Sequence, residues 1–233
     1  MTMTSQGDFR DRTWVVIPAY NEERRLARVL AEVCAEYPHV VVVDDGSQDG
    51  TAEVALRYPV WLLQHVVNLG QGAALQTGIA FALQQGAAIV VTCDADGQHQ
   101  VSDIAALVEP IVEGRADVVL GSRFLGQAVH MPTLRRWVVR LGVVFTRLTT
   151  GLAITDTHNG LRAFSRTAAE QLQIRQNRMA HASEILHQIR RHHWRYCEVP
   201  VTIRYDPETL AKGQRSWHAL RILGELLVGW LTR

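Results

Sequence analysis

The sequence predicts an α/β fold with a mostly parallel, Rossmann-like sheet and helices on both faces. Short β-branched apolar runs alternate with helical patterns, and successive residues of each run are apolar, as in strands buried on both faces. Polar residues collect directly after these runs. In such folds the strands run parallel and the connections between them are right-handed. We therefore expect the polar turns that follow the strands to meet at one edge of the sheet, where ligands of these folds bind.

The elements follow one another in a regular order along the chain. Five apolar runs predict strands at 13–18, 39–44, 59–65, 87–93 and 116–121. The segments between them predict helices at 21–36, 50–58, 70–85 and 102–113. After residue 121 we expect a helical extension with short strands at 161–165 and 196–204. The chain divides into a disordered N-terminus (1–12), one domain (13–216) and a C-terminal amphipathic helix (217–233).

Charge is divided unevenly along a chain of net charge +1. Residues 1–120 carry 16 acidic and 7 basic side chains, whereas residues 121–195 carry 12 arginines and three acidic side chains. Arginine suits bidentate contact with phosphate, so we expect an anionic ligand on the second half. Nucleic acid is not among the partners that we expect. There is no signal-peptide pattern and no apolar run long enough to cross a membrane, and three distant cysteines fit a reduced, cytoplasmic protein.

A pair of aspartates follows the fourth predicted strand. Asp94 and Asp96 stand two residues apart on the turn, and Gln98 adds a side-chain oxygen. Such oxygens bind hard divalent cations, so we expect Asp94, Asp96 and Gln98 to hold Mg²⁺ or Mn²⁺ against the phosphates of a nucleotide. An isolated pair of this kind more often reflects ordinary turn chemistry. An EF-hand is excluded, because no loop here ends in the required glutamate.

Other turns leave two interpretations open. Asp45 fits a hydrogen bond to the base or ribose of a nucleotide and equally fits turn chemistry. Gly70-Gln-Gly72 opens a helix and suggests a phosphate-binding turn, but Leu75 breaks the dinucleotide fingerprint. The ten histidines show no zinc-site spacing.

A basic, apolar helix is predicted around residues 136–148. Arg136, Arg140 and Arg147 fall on one side of its wheel, and apolar residues cover much of the rest. Such a helix lies on a membrane surface, or it packs inward and leaves a solvated basic face.

Seven motifs, taken in order, resemble glycosyltransferase family 2 and its dolichol- or polyprenyl-phosphate sugar transferase branch. They cover most of residues 13–217 and read VIPAYNEE (16–23), VVVDDGSQDGT (41–51), NLGQGAALQTGI (68–79), TCDADGQH (92–99), GSRF (121–124), DTHNGLRAFSR (156–166) and EVPVTIRY (198–205). The resemblance implies a GT-A fold and inverting transfer from a nucleotide sugar. GLR at 160–162 replaces the usual GFR, and QRSW at 214–217 lacks the spacing found in processive synthases.

The same resemblance assigns roles to individual residues. It implies a metal on Asp94, Asp96 and Gln98, and an acceptor phosphate facing Arg123, which Arg136 and Arg140 would extend. The nucleotide-sugar residues are Pro18, Tyr20, Glu22, Asp45, Asn68, Asp94, Asp96, Lys212 and Arg215.

The acceptor decides whether a general base is needed. A lipid monophosphate is largely dianionic at neutral pH, since its second pKa is near ~6, and it attacks without help. A hydroxyl acceptor needs a base, for which Asp156 and Glu184 are the two candidates. With the metal ligand Asp96, they are the predicted catalytic residues. We therefore expect the protein to transfer a hexose to a polyprenyl phosphate. We expect it to be cytoplasmic and peripheral on the cytoplasmic face of the membrane. A homodimer is one of the assemblies that we consider. The alternatives are a soluble hydroxyl acceptor, or a nucleotide-sugar-binding regulator without activity.

Overall fold

Seven strands and eight helices are present in the computed structural model, which describes residues 7–176 and 180–205. The strands are β1 (Thr13–Ala19), β2 (His39–Asp44), β3 (Trp61–Gln64), β4 (Ile89–Thr92), β5 (Val118–Val129), β6 (Arg162–Ser165) and β7 (Tyr196–Arg204). The helices are α1 (Gly7–Arg10), α2 (Glu23–Glu36), α3 (Thr51–Ala55), α4 (Gln71–Gln84), α5 (Asp103–Val112), α6 (Thr133–Thr150), α7 (Arg166–Gln171) and α8 (Ala180–Arg191).

The strands form one mixed sheet in the order β3-β2-β1-β4-β6-β5-β7. All neighbouring strands are parallel except those that flank β6, which runs antiparallel to both β4 and β5. The predicted, mostly parallel sheet is confirmed. The insertion of β6 between β4 and β5 was not predicted, because the sequence of a four-residue strand, RAFS, does not reveal its partners.

Helices cover both faces of the sheet, as predicted. On one face, α2 and α5 bury Leu26, Leu30 and Leu107 against one side of the strands. On the other face, α4 and α8 pack against the alternate strand residues, with Ile79 and Ile185 fully buried. Both sides of the central strands are therefore apolar, which accounts for their unbroken β-branched runs.

The last strand ties the turn after β4 to the rest of the sheet. His99 forms an isolated antiparallel bridge with Ile203, and the backbone N–H of Arg204 donates to the Gln98 carbonyl at 3.0 Å. The pairing of β5 with β7 shifts register between Ser122 and Gln127. The segment that carries Asp94 and Asp96 is thus bonded to β7.

Parts of the predicted domain division lie outside the described residues. Residues 1–6 and the predicted C-terminal helix (217–233) belong to that part, while Gly7–Arg10 form a short helical turn whose Phe9 packs against the core. Among the described helices, none combines the length and hydropathy that crossing a membrane requires.

Candidate active site

The two predicted metal ligands lie at the carboxyl end of β4. The side chain of Asp94 is 29% exposed and accepts two hydrogen bonds, from Gln71 Nε2 at 2.8 Å and from His99 Nε2 at 3.2 Å. Asp96 is half-buried, and its Oδ1 accepts the backbone N–H of Gln98 at 3.0 Å. Asp94 is therefore oriented from both of its oxygens, and Asp96 is held by its own turn.

The electrostatics of the pair favour a bound cation. Burial raises the pKa of Asp94, but the hydrogen bond and charge of His99, with the charges of His181 and Arg162, outweigh it and the net shift is downward. Burial, and then the charge of Asp94, raise the pKa of Asp96. Two carboxylates thus share a partly desolvated turn, where a divalent cation would relieve their repulsion.

The residues present fit Mg²⁺ or Mn²⁺ shared with a nucleotide. Among residues 7–176 and 180–205, no group of three His, Cys, Asp or Glu side chains is arranged to hold a metal alone. Mg²⁺ commonly binds through one or two carboxylates and completes its shell with water and substrate phosphates. Asp94 and Asp96 would supply the carboxylates, with Gln98, itself half-buried on the same turn, as the predicted third ligand.

A glycine places the loop after α6 directly against the Asp94 carboxylate. A Cβ atom at residue 160 would lie within 2.5 Å of both carboxylate oxygens of Asp94. The Gly160 carbonyl also accepts a hydrogen bond from Thr92 Oγ1 at 2.7 Å. The position of the Asp94 carboxylate therefore requires that residue 160 has no side chain.

The same loop carries a buried ion pair. Arg123 Nε donates to Asp156 Oδ2 at 2.6 Å, and Arg123 Nη1 donates to the hydroxyl of Tyr205 at 2.6 Å. The exposed fractions of the Arg123 and Asp156 side chains are 7% and 0%. Glu198 on β7 accepts the backbone N–H groups of Thr155 and Asp156 at 2.8 and 3.0 Å. Asp156, a predicted base, thus anchors Arg123 in this arrangement.

A second buried arginine, Arg162, lies close to Asp94 and Asp156. Arg162 begins β6, is buried, and donates to the Thr157 carbonyl at 3.3 Å. Burial lowers the pKa of Arg162 to about 10, although the charges of Asp94 and Asp156 oppose that shift. Its positive charge balances part of the negative charge of these two aspartates.

Several of the predicted nucleotide residues lie at the carboxyl ends of β1, β2 and β3. Tyr20 is 43% exposed and Asn68 is exposed, whereas Pro18 is buried in β1. The Asp45 carboxylate accepts the backbone N–H groups of Leu69 and Gly70 at 3.0 and 2.7 Å and contacts His65 Nδ1 at 2.7 Å. Asp45 thus holds the loop after β3 in place.

The turn after β1 is bonded to the turn after β2. The backbone N–H of Glu22 donates to Thr51 Oγ1 at 2.9 Å, and a carboxylate oxygen of Glu22 lies 3.4 Å from Arg25 Nη1. Gln48 N–H donates to Asn21 Oδ1 at 2.9 Å. These turns therefore form a continuous edge around the candidate nucleotide site.

The remaining predicted residues lie farther out. Arg136 and Arg140 are exposed on α6, and the Arg140 guanidinium lies 5.7 Å from the centre of the Phe124 ring. Glu184 on α8 accepts the backbone N–H groups of Arg175 and Gln176 at 2.9 and 2.8 Å. Lys212 and Arg215 lie outside the described residues. No contact here tests the predicted roles of these residues, which stay predictions.

Several residues that build the site were given no role from the sequence: Gln71, His99, Gly160, Arg162 and Glu198. Gln71, Gly160 and Glu198 contact aspartates that lie far away in the sequence, as Gln71 does with Asp94 and Glu198 does with Asp156. His99 and Arg162 bond to residues only five positions away. Four of them stand inside the motifs quoted above and Glu198 begins the last one, so their position in those motifs was the available signal.

Comparison with known proteins agrees with this geometry. Residues 14–173 match the family model described as "Glycosyl transferase family 2". The chain is 33% identical over 238 residues to a UDP-N-acetylglucosamine–dolichyl-phosphate N-acetylglucosaminyltransferase of Methanococcus voltae, covering 92% of this chain and 94% of that one. It is 34% identical over 173 residues to a polyprenol monophosphomannose synthase of Mycolicibacterium smegmatis, covering 70% and 65%. These relatives confirm the resemblance to that branch of the family.

Solved structures show the same fold. Glucosyl-3-phosphoglycerate synthase of Mycobacterium tuberculosis, in complex with Mn²⁺, UDP-glucose and phosphoglyceric acid, aligns with a TM-score of 0.69 at 20% identity, covering 94% of this chain and 84% of that chain. The same protein with Mg²⁺ and UDP aligns with a TM-score of 0.70 at 20% identity, covering 96% and 83%. The predicted GT-A architecture is confirmed.

Proposed function

Because the chain belongs to glycosyl transferase family 2 and is a glycosyltransferase, we propose that it transfers a hexose from a UDP- or GDP-sugar to a polyprenyl or dolichyl phosphate, with inversion at the anomeric carbon. The observation that carries the proposal is the Asp94–Asp96 pair at the carboxyl end of β4, oriented by Gln71 and His99. The relatives named for dolichyl and polyprenol substrates support the choice of acceptor.

The donor would lie across the turns after β1, β2, β3 and β4. Tyr20 and Asn68 present exposed side chains there, whereas Pro18 is buried and Glu22 is half-buried. When bound to Asp94, Asp96 and Gln98, Mg²⁺ or Mn²⁺ would neutralise negative charge on the departing diphosphate. Asp94 and Asp96 hold their charge in place, so little reorganisation is needed as the sugar leaves. Lys212 or Arg215 is proposed to add positive charge over the diphosphate.

The acceptor would approach from the side of the 153–161 loop. A dianionic phosphate needs no general base. In the structure the two candidate bases are engaged elsewhere: Asp156 holds Arg123, and Glu184 holds the backbone of residues 175 and 176. This arrangement supports a phosphate acceptor over a hydroxyl acceptor. Arg123, Arg136 and Arg140 are proposed to attract the acceptor phosphate, with Arg136 and Arg140 as its exposed contacts.

Association with the cytoplasmic face of the membrane follows from the lipid acceptor and belongs to the same proposal. The homodimer stays a prediction.

The decisive experiment is transfer of radiolabelled sugar to a short, soluble polyprenyl phosphate. UDP- and GDP-sugars are tested one by one, with Mg²⁺, with Mn²⁺ and with chelator. We expect one donor to react in the presence of metal, and we expect Asp94→Asn and Asp96→Asn each to lower kcat by roughly 10²-fold or more, as for the loss of one strong electrostatic contact.

The exposed Asp11 provides the matched control, since Asp11→Asn removes the same charge far from the site. That variant should retain wild-type turnover. The proposal is wrong if the wild-type protein transfers no sugar from any UDP or GDP donor, or if both Asn variants keep wild-type turnover and nucleotide affinity.

A further inference from the structure

One face of α6 exposes a continuous apolar stripe. Trp137, Leu141, Val144 and Leu148 follow each other at spacings that place them on one side of a helix, and they are 65%, 55%, 54% and 81% exposed. The opposite side of α6 is anchored, with Val143 buried and Gly142 facing His158. We name Trp137, Leu141, Val144 and Leu148 the α6 stripe. The sequence left two interpretations of this helix open: binding to a membrane surface, or packing of its apolar residues inward. Within the described residues, the α6 stripe is exposed and does not pack inward.

The charge beside the α6 stripe has a single sign. Arg136 and Arg140 are exposed along one of its edges, and α6 contains no acidic residue. The sequence from residue 121 to residue 155 contains none either. An apolar stripe with a cationic edge and a tryptophan is the pattern of helices that lie in a membrane interface, especially one with anionic lipids.

We propose that the α6 stripe docks onto an anionic phospholipid bilayer, with Trp137, Leu141, Val144 and Leu148 inserted among the lipids and the flanking arginines on the headgroups. Two other occupants fit the charges less well. A second copy paired through this face would bring its arginines toward those of the first. The segment 217–233 carries two arginines and one glutamate, so its net charge is positive and does not complement the arginines beside the α6 stripe.

The position of the α6 stripe links the bilayer to the candidate acceptor side. Arg140 lies over Phe124, which follows Arg123, and Arg147 Nε donates to the Ile154 carbonyl at 2.5 Å. The loop that begins there carries Asp156 and Gly160. This inference rests on the proposed function, because docking by α6 would bring a membrane-bound phosphate acceptor to that loop.

Vesicle sedimentation of the full chain tests the α6 stripe directly. The vesicles are phosphatidylcholine alone, or phosphatidylcholine with about one third phosphatidylglycerol. We expect the wild-type protein to bind the anionic vesicles, and we expect Leu148→Glu to weaken that binding by about tenfold or more, because the substitution replaces an inserted apolar side chain by a charge. Leu56→Glu is the matched control, since Leu56 is 71% exposed at the end of α3, away from α6.

Further measurements identify the outcome. Sugar transfer to a short, soluble polyprenyl phosphate should be unchanged in Leu148→Glu, whereas transfer to a long-chain carrier in vesicles should fall. The inference is overturned if Leu148→Glu binds anionic vesicles as the wild type does, or if wild-type protein does not prefer them. A much lower unfolding temperature for Leu148→Glu than for Leu56→Glu would also overturn it, because that result would indicate that another segment of the same chain covers the α6 stripe. So would light scattering that shows a wild-type dimer and a Leu148→Glu monomer. Vesicle binding without any sugar transfer would refute the proposed function and leave the docking surface standing.

Discussion

Replacing Gly160 by alanine should disable the metal site while leaving the fold intact. The new Cβ atom would lie within 2.5 Å of both Asp94 carboxylate oxygens, whereas ordinary van der Waals contact begins at 3.4 Å. One group must therefore move by about 1 Å or more. The backbone of residue 160 is fixed by the Thr92 hydroxyl, and its neighbour Leu161 is fully buried, so the Asp94 side chain is the group that yields.

The magnitude follows from that displacement. A misplacement of about 1 Å in a positioned group can cost about 10²-fold in function, because the geometry required by the ligand is lost. Asp94 would also leave its hydrogen bonds with Gln71 and His99. We expect Gly160→Ala to weaken Mn²⁺-dependent binding of the nucleoside diphosphate by about 10²-fold, with a comparable loss of turnover.

Isothermal titration calorimetry with Mn²⁺ and the nucleoside diphosphate measures this loss. Gly142→Ala is the matched control, because a Cβ atom there meets its nearest neighbour, His158 Cε1, at 3.6 Å, which is an ordinary contact. Both variants make the same chemical change and touch the same loop. The reasoning is refuted if Gly160→Ala binds Mn²⁺ and nucleotide within twofold of the wild type, or if Gly142→Ala loses as much affinity.

Three further predictions concern the loop that carries Asp156. Arg123→Met should lower the free energy of unfolding by about 3–5 kcal/mol in urea denaturation, because it leaves the fully buried Asp156 carboxylate unpaired. The additional change Asp156→Asn should restore part of that stability. A double variant no more stable than Arg123→Met would contradict the pairing. Glu198→Ala removes the acceptor of the Thr155 and Asp156 backbone N–H groups, so amide exchange in residues 153–160 should become faster. The control is Glu109→Ala, which removes an exposed glutamate from α5, and exchange in Glu198→Ala no faster than in this control would refute the role of Glu198. Burial lowers the pKa of His158 to about 4, below the ordinary value near ~6.5, so the unfolded chain binds more protons and stability should fall as pH drops from about 6.5 to about 4, by at most about 3 kcal/mol. His158→Gln should flatten that part of the pH profile of thermal unfolding, and an unchanged profile would contradict the assignment.

The sequence alone determined the alternation of strands and helices and the position of the acidic turn. Hydrophobic periodicity indicates how many faces of an element are buried. β1, β2 and β4 are apolar on both faces and α2 is apolar on one, and these faces are the buried ones. The order of the motifs predicted the family, and with it Asp94 and Asp96 as the centre of the site.

Only the tertiary structure decided which side chains surround that centre. Gln71, Gly160 and Glu198 meet the aspartates across dozens of residues, and β6 enters the sheet between β4 and β5. Such contacts depend on how the whole chain packs, which local patterns do not record. The same holds for Asp156, whose carboxylate is fully buried against Arg123, and for the apolar residues of α6 that remain exposed. A sequence gives the polarity of each side chain, and packing alone decides what that side chain faces.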